Sequence, residues 1–220
     1  MIGIIVALKS EANALINEIE QLKEFKIADK PAYSGKIENK DVVLIISGIG
    51  KVSAGLSTQL LIDKYSPEYI LNFGTCGGMN NSVKILSYYA VEKCCQFDFD
   101  LRELDGVPLG YIQEYDRAFF DTHTNGLDFL DKSVLATADR FTNDVNDINA
   151  INQIGASLRD MEGGAIAQVC TSNNVPAVMI KGISDVTGSG TAQEQFFKNL
   201  KTVGQGFPAV IKKVIKSVKL

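Results

Sequence analysis

The feature that most constrains this chain is a change of period repeated along its length: short, near-continuous apolar runs alternate with longer amphipathic stretches. The runs "IGIIVAL" (2–8), "VVLII" (42–46), "EYILNF" (68–73), "SVLATA" (133–138) and "AVMIKGI" (177–183) are rich in β-branched residues and read as buried strands. Between them lie helix-like segments. Ser10 to Leu22 places Leu15, Ile16, Ile19 and Leu22 on one face, with Ser10 as N-cap; Val52 to Tyr65, Gly164 to Asn173 and about Gln193 to Val218 follow the same period. Strands buried on both faces need helices on both faces. The order therefore predicts an α/β fold, a three-layer αβα sandwich around a mixed, mostly parallel central sheet. In such a sheet ligands bind beyond the carboxyl ends of the strands, which makes the polar residues after each run the candidates for function. The region from Val83 to Phe120 yields no order, since "KILSYYAVEKCCQFDFDLRELDGVPLGYI" (84–112) within it mixes strand-like and charged pieces.

A length of 220 residues suits one sizeable core and is short for two, so a single domain over 1–220 is expected. The net charge of −4 and the absence of a dense Lys/Arg block before the tail give no positive field for nucleic acid or an anionic membrane, so neither is an expected partner. Cys76, Cys94, Cys95 and Cys170 form neither a CxxC pair nor a spaced framework, which fits a reducing cytoplasm. The run Ile2 to Leu8 has no basic region before it and is shorter than a signal-peptide core. No segment approaches the roughly 18 apolar residues needed to span a bilayer.

Glycine-rich loops invite a nucleotide reading, but the spacings fail. "SGIGKVSAG" (47–55) misses both GxGxxG and GxxxxGK[ST], and "VTGSGTAQ" (186–193) places Gln193 where a third glycine should stand. The only histidine, His123, lies in the polar stretch "DTHTNG", so a histidine-based triad or a multi-histidine metal site has no raw material. Cys94 and Cys95 read as small buried hydrophobes rather than nucleophiles.

What remains is carboxylates at strand ends. Glu11 follows the first run, Glu162 precedes the helix at Gly164, and Asp185 follows the run 177–183. Each alone has a structural reading, as a first-turn acid or an N-cap. Three acids after separate strands of one parallel sheet can also converge on a single cleft.

Four segments in order carry a more specific signal: "IGIIVALKSEANAL" (2–15), "SGIGKVSAG" with "NFGTCGG" (47–55 and 72–78), "ATADRF" (136–141), and "RDMEGGAIAQVCTSNNVPAVMIKGISD" (159–185). Together they resemble the 5'-methylthioadenosine/S-adenosylhomocysteine nucleosidases of the nucleoside phosphorylase superfamily. The resemblance implies hydrolysis of the N-glycosidic bond of a purine nucleoside, without a cofactor, by a homodimer. It assigns Asp185 as the general acid toward the purine N7, a role that requires a carboxyl tuned by burial. Glu11 matches the acid that orients and deprotonates the attacking water. Glu162 matches the acceptor of the ribose hydroxyls, with the small residues after it letting the helix start approach the sugar. Met161 is implied as an apolar wall for the ribose, Phe141 as the ring stacked on the base, and the main chain at Phe141 and Thr142 as the reader of its edge. Ser184 is implied to hold the base-side geometry and Thr75 to lie near the ribose and water. Ile49 and Leu8 complete the implied substrate contacts.

Phosphate is the nucleophile in other branches of the superfamily, and a phosphate clamp favours arginine. The chain has four, Arg102, Arg117, Arg140 and Arg159, none in the first hundred residues, so water is the expected nucleophile. Leu8 stands where these nucleosidases usually carry methionine and Lys181 where they carry arginine. No aromatic stands at Gln193 or Glu194, where the family places one over the 5' group; Phe196 and Phe197 lie close by. Asp98 and Asp100 read as loop acids. The alternatives left open are a purine nucleoside phosphorylase, a futalosine-type hydrolase and a non-catalytic nucleoside-binding protein of the same fold.

Overall fold

The computed structural model describes residues 1–79, 83–141, 144–187 and 191–220. In chain order the elements are β1 (Ile2–Val6), α1 (Lys9–Ile16), β2 (Glu20–Ile27), β3 (Lys30–Ile37), β4 (Lys40–Ile46), α2 (Lys51–Tyr65), β5 (Tyr69–Gly78), β6 (Tyr88–Gln96), α3 (Arg102–Asp105), β7 (Phe119–Asp121), β8 (Asp131–Thr137), α4 (Val145–Gln153), β9 (Leu158–Asp160), α5 (Gly163–Ser172), β10 (Ala177–Val186) and α6 (Ala192–Ser217). All strands belong to one mixed sheet.

The five predicted runs form β1, β4, β5, β8 and β10, and the sheet is parallel where they meet. β1 lies between β4 and β5, parallel to both, and β5 is also parallel to β10. Antiparallel pairing enters through β2 and β3, which extend the edge beyond β4, and through the pairs β10–β6, β6–β7 and β5–β9. Because β10 pairs with both β5 and β6, and β8 and β9 link β6 back to β5, these five strands close on themselves.

Helices cover both faces, as fully buried strands require. Along β1, Ile2, Ile4 and Val6 face one cluster with Leu15 of α1 and Phe207 and Ile211 of α6, whereas Ile5 faces the other with Ala54 and Leu61 of α2 and Ile166 and Cys170 of α5. The period of two thus places alternate side chains in two cores, each buried aliphatic contributing about 1.5–3 kcal/mol. A smaller cluster, with Met79, Phe97, Ala136 and Ile151, packs α4 beside β8.

Two expectations are corrected. The first helix starts at Lys9, with Leu8 rather than Ser10 at the cap position, and it ends at Ile16 rather than Leu22. Ile19 reaches the core through a turn, Leu22 is exposed, and Glu20 onward finds main-chain partners in β3, so the apolar spacing 15–16–19–22 does not mark one helical face. The unordered stretch after residue 83 resolves into β6, α3, a short 3-10 turn at Gln113–Tyr115, and β7.

Candidate active site

A cavity of about 440 Å³ opens beyond the carboxyl ends of the strands. Its walls come from the segment after β1 (Ala7, Leu8, Glu11), the end of β5 (Thr75, Cys76, Gly77), the loop after β8 (Arg140, Phe141), the end of β9 with the approach to α5 (Arg159, Asp160, Met161, Glu162), the end of β10 (Ser184, Asp185) and the first turn of α6 (Gln193, Phe196, Phe197). Ile49, between β4 and α2, and Phe97 complete it. The structure therefore brings Leu8, Glu11, Ile49, Thr75, Phe141, Met161, Glu162, Ser184 and Asp185 to one cavity. Thr142 lies outside the described residues.

Glu11 sits in the first turn of α1, and the strand β1 delivers it to the cavity floor. Its Oε1 accepts from the Thr75 main-chain N–H at 2.7 Å and the Thr75 hydroxyl at 2.6 Å, and its Oε2 accepts from Leu8 N–H at 3.2 Å. Burial nevertheless raises its pKa above the ordinary carboxylate value, the bonds from Thr75, the charge of Lys181 and the bond from Leu8 opposing without cancelling it. A carboxyl in that condition, fixed by three donors, is suited to taking a proton from a water beside it.

Lys181 is a lysine in the middle of a fully buried strand, 1% exposed, with its Nζ 2.8 Å from Asp160 Oδ2. Burial works against its charge, but Asp160 and then Glu162 override burial and hold its pKa above the usual lysine value. Asp160 also accepts from the Thr137 hydroxyl at 2.6 Å and from Gly163 N–H at 2.8 Å, so it caps the first turn of α5 while it neutralises Lys181. Glu162 occupies the N-cap position of α5 and accepts from Gly50 N–H at 2.9 Å. Its pKa is pushed up to about 7 by burial and by Asp160, against the pull of Lys181 and the Gly50 hydrogen bond. Glu162 is therefore the carboxyl of this floor that holds its proton up to about pH 7.

The backbone at Gly50 has φ 97, a left-handed conformation open to glycine, and it turns the start of α2 so that its N–H meets Glu162. The next N–H, from Lys51, goes to Asp139 at 2.7 Å, and Lys51 Nζ pairs with Asp98 at 2.6 Å. Asp98 also accepts from Asp139 N–H at 2.9 Å, so it braces the loop that carries Phe141, while Asp100 pairs with Arg102 on the surface. The glycines after Glu162 serve the sheet rather than the cavity: a Cβ at Gly163 would stand 2.4 Å from Leu135 and one at Gly164 2.7 Å from Gln96.

Asp185 is 1% exposed, at the carboxyl end of β10. Ser184 donates to its Oδ1 at 2.8 Å and Arg159 donates to its Oδ2 at 3.1 Å. Asn199 of α6 donates to the Ser184 carbonyl at 2.8 Å and holds this strand end from behind.

At the mouth the chemistry changes. Phe141 packs edge-on against Phe196, with centroids 6.0 Å apart, and Phe196 packs against Phe197 at 5.4 Å. The rings at 196 and 197 supply the aromatic wall that positions 193 and 194 lack. Arg140 is held by Asp147 and stacks on Phe97, its guanidinium carbon 5.3 Å from the ring centroid. Asp160 and Arg159 carry no sequence signal for the site, and Lys181 enters there only as the counterpart of a family arginine; an ionised residue inside the apolar run "AVMIKGI" is the signal that points to Lys181. His123 lies elsewhere, its ring meeting the Lys219 carbonyl near the chain end. The four cysteines are buried, and burial pushes the Cys95 and Cys170 thiols up to about 12.

Residues 1–216 match the family model described as the phosphorylase superfamily. A 5'-methylthioadenosine/S-adenosylhomocysteine nucleosidase from Buchnera aphidicola subsp. Schizaphis graminum is 34% identical, with 99% of this chain and 97% of that protein covered. The nucleosidase of the same name from Bacillus subtilis is 29% identical, with 99% of each covered. Among solved structures, a nucleosidase of this kind from Colwellia psychrerythraea in complex with adenine superposes with a TM-score of 0.88 at 27% identity, covering 99% of this chain and 95% of that one. A futalosine hydrolase mutant of Helicobacter pylori superposes with a TM-score of 0.89 at 25% identity, covering 98% of each.

Proposed function

The chain belongs to the phosphorylase superfamily and, within it, to the 5'-methylthioadenosine/S-adenosylhomocysteine nucleosidases, and from that premise we propose that it hydrolyses the N-glycosidic bond of purine nucleosides. 5'-Methylthioadenosine and S-adenosylhomocysteine are the leading substrates. The observation that carries this reading is the convergence of Glu11, Glu162 and Asp185, from three separate elements, on one cavity.

In the proposed reaction the ribose hydroxyls bond to Glu162, Met161 lies against the sugar, and the base enters beside Phe141, its edge met by the main chain at Phe141. The C1'–N9 bond breaks with its electron pair going to the purine, while Asp185 gives a proton to N7. A water held by Glu11 and Thr75 forms the new bond to C1' and passes its proton to Glu11. The sum is addition of one water; Glu11 and Asp185 then exchange their protons with solvent. Binding the two groups at opposite ends of the breaking bond is what accelerates it, because each meets charge that exists only in the transition state. Acid, base and water complete the chemistry without a cofactor.

Water is favoured over phosphate because the cations and helix donors at the cavity already face carboxylates. Arg159 meets Asp185, Arg140 meets Asp147, Lys181 meets Asp160, and the first N–H groups of α2 meet Glu162 and Asp139. A dianion would have to displace one of these acids. The 5' substituent is placed toward Ile49, Leu8, Phe196 and Phe197, an apolar wall that suits a thioether.

The proposal extends to the whole chain: one domain, acting in the cytoplasm as a homodimer. Ile49 at the cavity and Val52 and Leu56 along α2 are exposed apolar residues that a second copy would cover. Light scattering reads this directly, and a monomer at working concentration removes the dimer. The reaction itself is tested by incubating the protein with 5'-methylthioadenosine, S-adenosylhomocysteine, adenosine and inosine, with and without phosphate, and following the free base. Phosphate-independent adenine from the thionucleosides is expected; phosphate-dependent release would make the protein a phosphorylase, and no release would favour a binding protein.

A further inference from the structure

Asp185 has a partner that the proposed chemistry leaves unused. Arg159 Nη2 lies 3.1 Å from Asp185 Oδ2, with both side chains buried, and the guanidinium is 5.9 Å from the Phe141 centroid. The sheet register builds this pair: Gly77 of β5 stands opposite Arg159 of β9 on one side and opposite Asp185 of β10 on the other. A Cβ at Gly77 would come within 2.6 Å of Arg159 Nε and 3.0 Å of Asp185 Oδ2, so only a residue without a side chain lets the guanidinium reach the acid.

We propose that Arg159 is a positioning residue for Asp185, compensating the negative charge left on its carboxyl when the proton passes to the departing base; this rests on the hydrolase reading above. In that step the Asp185 O–H bond breaks, the proton joins N7, and the C1'–N9 electron pair stays with the purine. The carboxylate that forms is already bonded to the guanidinium on one oxygen and faces the Ser184 hydroxyl with the other. A charge-assisted hydrogen bond between two buried side chains, to an anion that grows during the reaction, is stronger in the transition state than before it. An ion pair that served only to hold β9 against β10 would act on folding and leave turnover per folded molecule alone.

The test is a double-mutant cycle on the full chain with 5'-methylthioadenosine, reading kcat and KM separately for Arg159→Met, Arg159→Lys, Asp185→Asn and the Asp185→Asn/Arg159→Met pair. Arg159→Met is expected to lower kcat about 30-fold or more with KM changed less than about threefold, the signature of an interaction made in the transition state. Arg159→Lys keeps the charge and recovers about tenfold of that loss. On an Asp185→Asn background the second substitution should lower kcat less than about threefold, because its partner is already gone. Thermal melts give the folded fraction, and Arg159→Gln, which also removes the charge, carries the test if the methionine variant does not fold: wild-type kcat in Arg159→Gln with its melt displaced would show a purely structural pair. Arg159→Met within about threefold of wild type, or a full loss repeated on the Asp185→Asn background, overturns the inference and leaves the hydrolase reading standing. A wild-type protein that releases no base overturns both.

Discussion

At the floor of the cavity Glu11, Glu162 and Asp185 are buried and each carboxylate is already hydrogen-bonded to a helix start or a strand end, whereas at the mouth Phe141 and Phe197 are 54% and 67% exposed and meet through Phe196. The floor is set before a ligand arrives, so little reorganisation remains for the chemical step. The mouth gains its burial only when a ligand fills it, and it therefore governs affinity and selection. Lesions at the floor should lower kcat, and lesions at the mouth should raise KM.

The largest effect is expected from Asp185→Asn, which keeps the shape of the floor but removes the proton donor. Turnover of 5'-methylthioadenosine should fall about 100- to 10,000-fold while adenine binding stays measurable by calorimetry. An active variant would end the general-acid assignment. Glu11→Gln is next, with kcat down about 100-fold, since the glutamine oxygen still accepts from Thr75 but its NH2 loses the bond from Leu8 and no carboxylate takes the proton of water. Unchanged kinetics there would place water activation elsewhere.

A third experiment probes the charge state of the floor without turnover. Because the Glu162 pKa in the folded protein is pushed from the ordinary 4.5 up to about 7, its contribution to stability is present below pH 4.5 and is lost as the pH rises through about 7. Glu162→Gln does not titrate. In urea melts the stability of the wild type relative to this variant should fall by about 1–3 kcal/mol between pH 5 and pH 8. An identical difference at both pH values would mean that Lys181 alone satisfies the cluster. The smallest effect belongs to the mouth: Phe197→Ala should raise KM about three- to tenfold with kcat nearly unchanged, the scale of one lost aromatic contact. A matching fall in kcat would erase the distinction between floor and mouth.

Much of this division is legible in the residues themselves. The runs that become β1, β4, β5, β8 and β10 show near-continuous apolar character because both faces are covered, and that pattern identifies them as strands of a mostly parallel sheet. β2 and β3 are harder to see. Most of β2 is exposed, so no burial constrains its residues, and the turn into β4 uses Glu38 and Asn39, both with positive φ, in place of the Asn-Gly pair that usually marks such a hairpin. The helix read through Leu22 fails for the same reason: an apolar spacing that fits a helix also fits a helix, a turn and an edge strand. At the site, Glu11 and Asp185 stand out as acids after apolar runs, and Glu162 as the acid just before the helical run at Gly164. Arg159 and Asp160 do not, because their meaning comes from β9 pairing antiparallel to β5, a three-residue strand too short to leave a period.

The closure of β5, β10, β6, β8 and β9 on themselves reaches beyond catalysis into how the protein opens. A strand with partners on both sides can expose its main-chain amides to solvent only by parting from two neighbours at once. The amides behind Thr75, Arg159 and Asp185 therefore belong to one cooperative unit and exchange their hydrogens with solvent slowly and together, while β2, with a neighbour on one side only, exchanges piecemeal. The cavity floor is tied to the last part of the molecule to come apart.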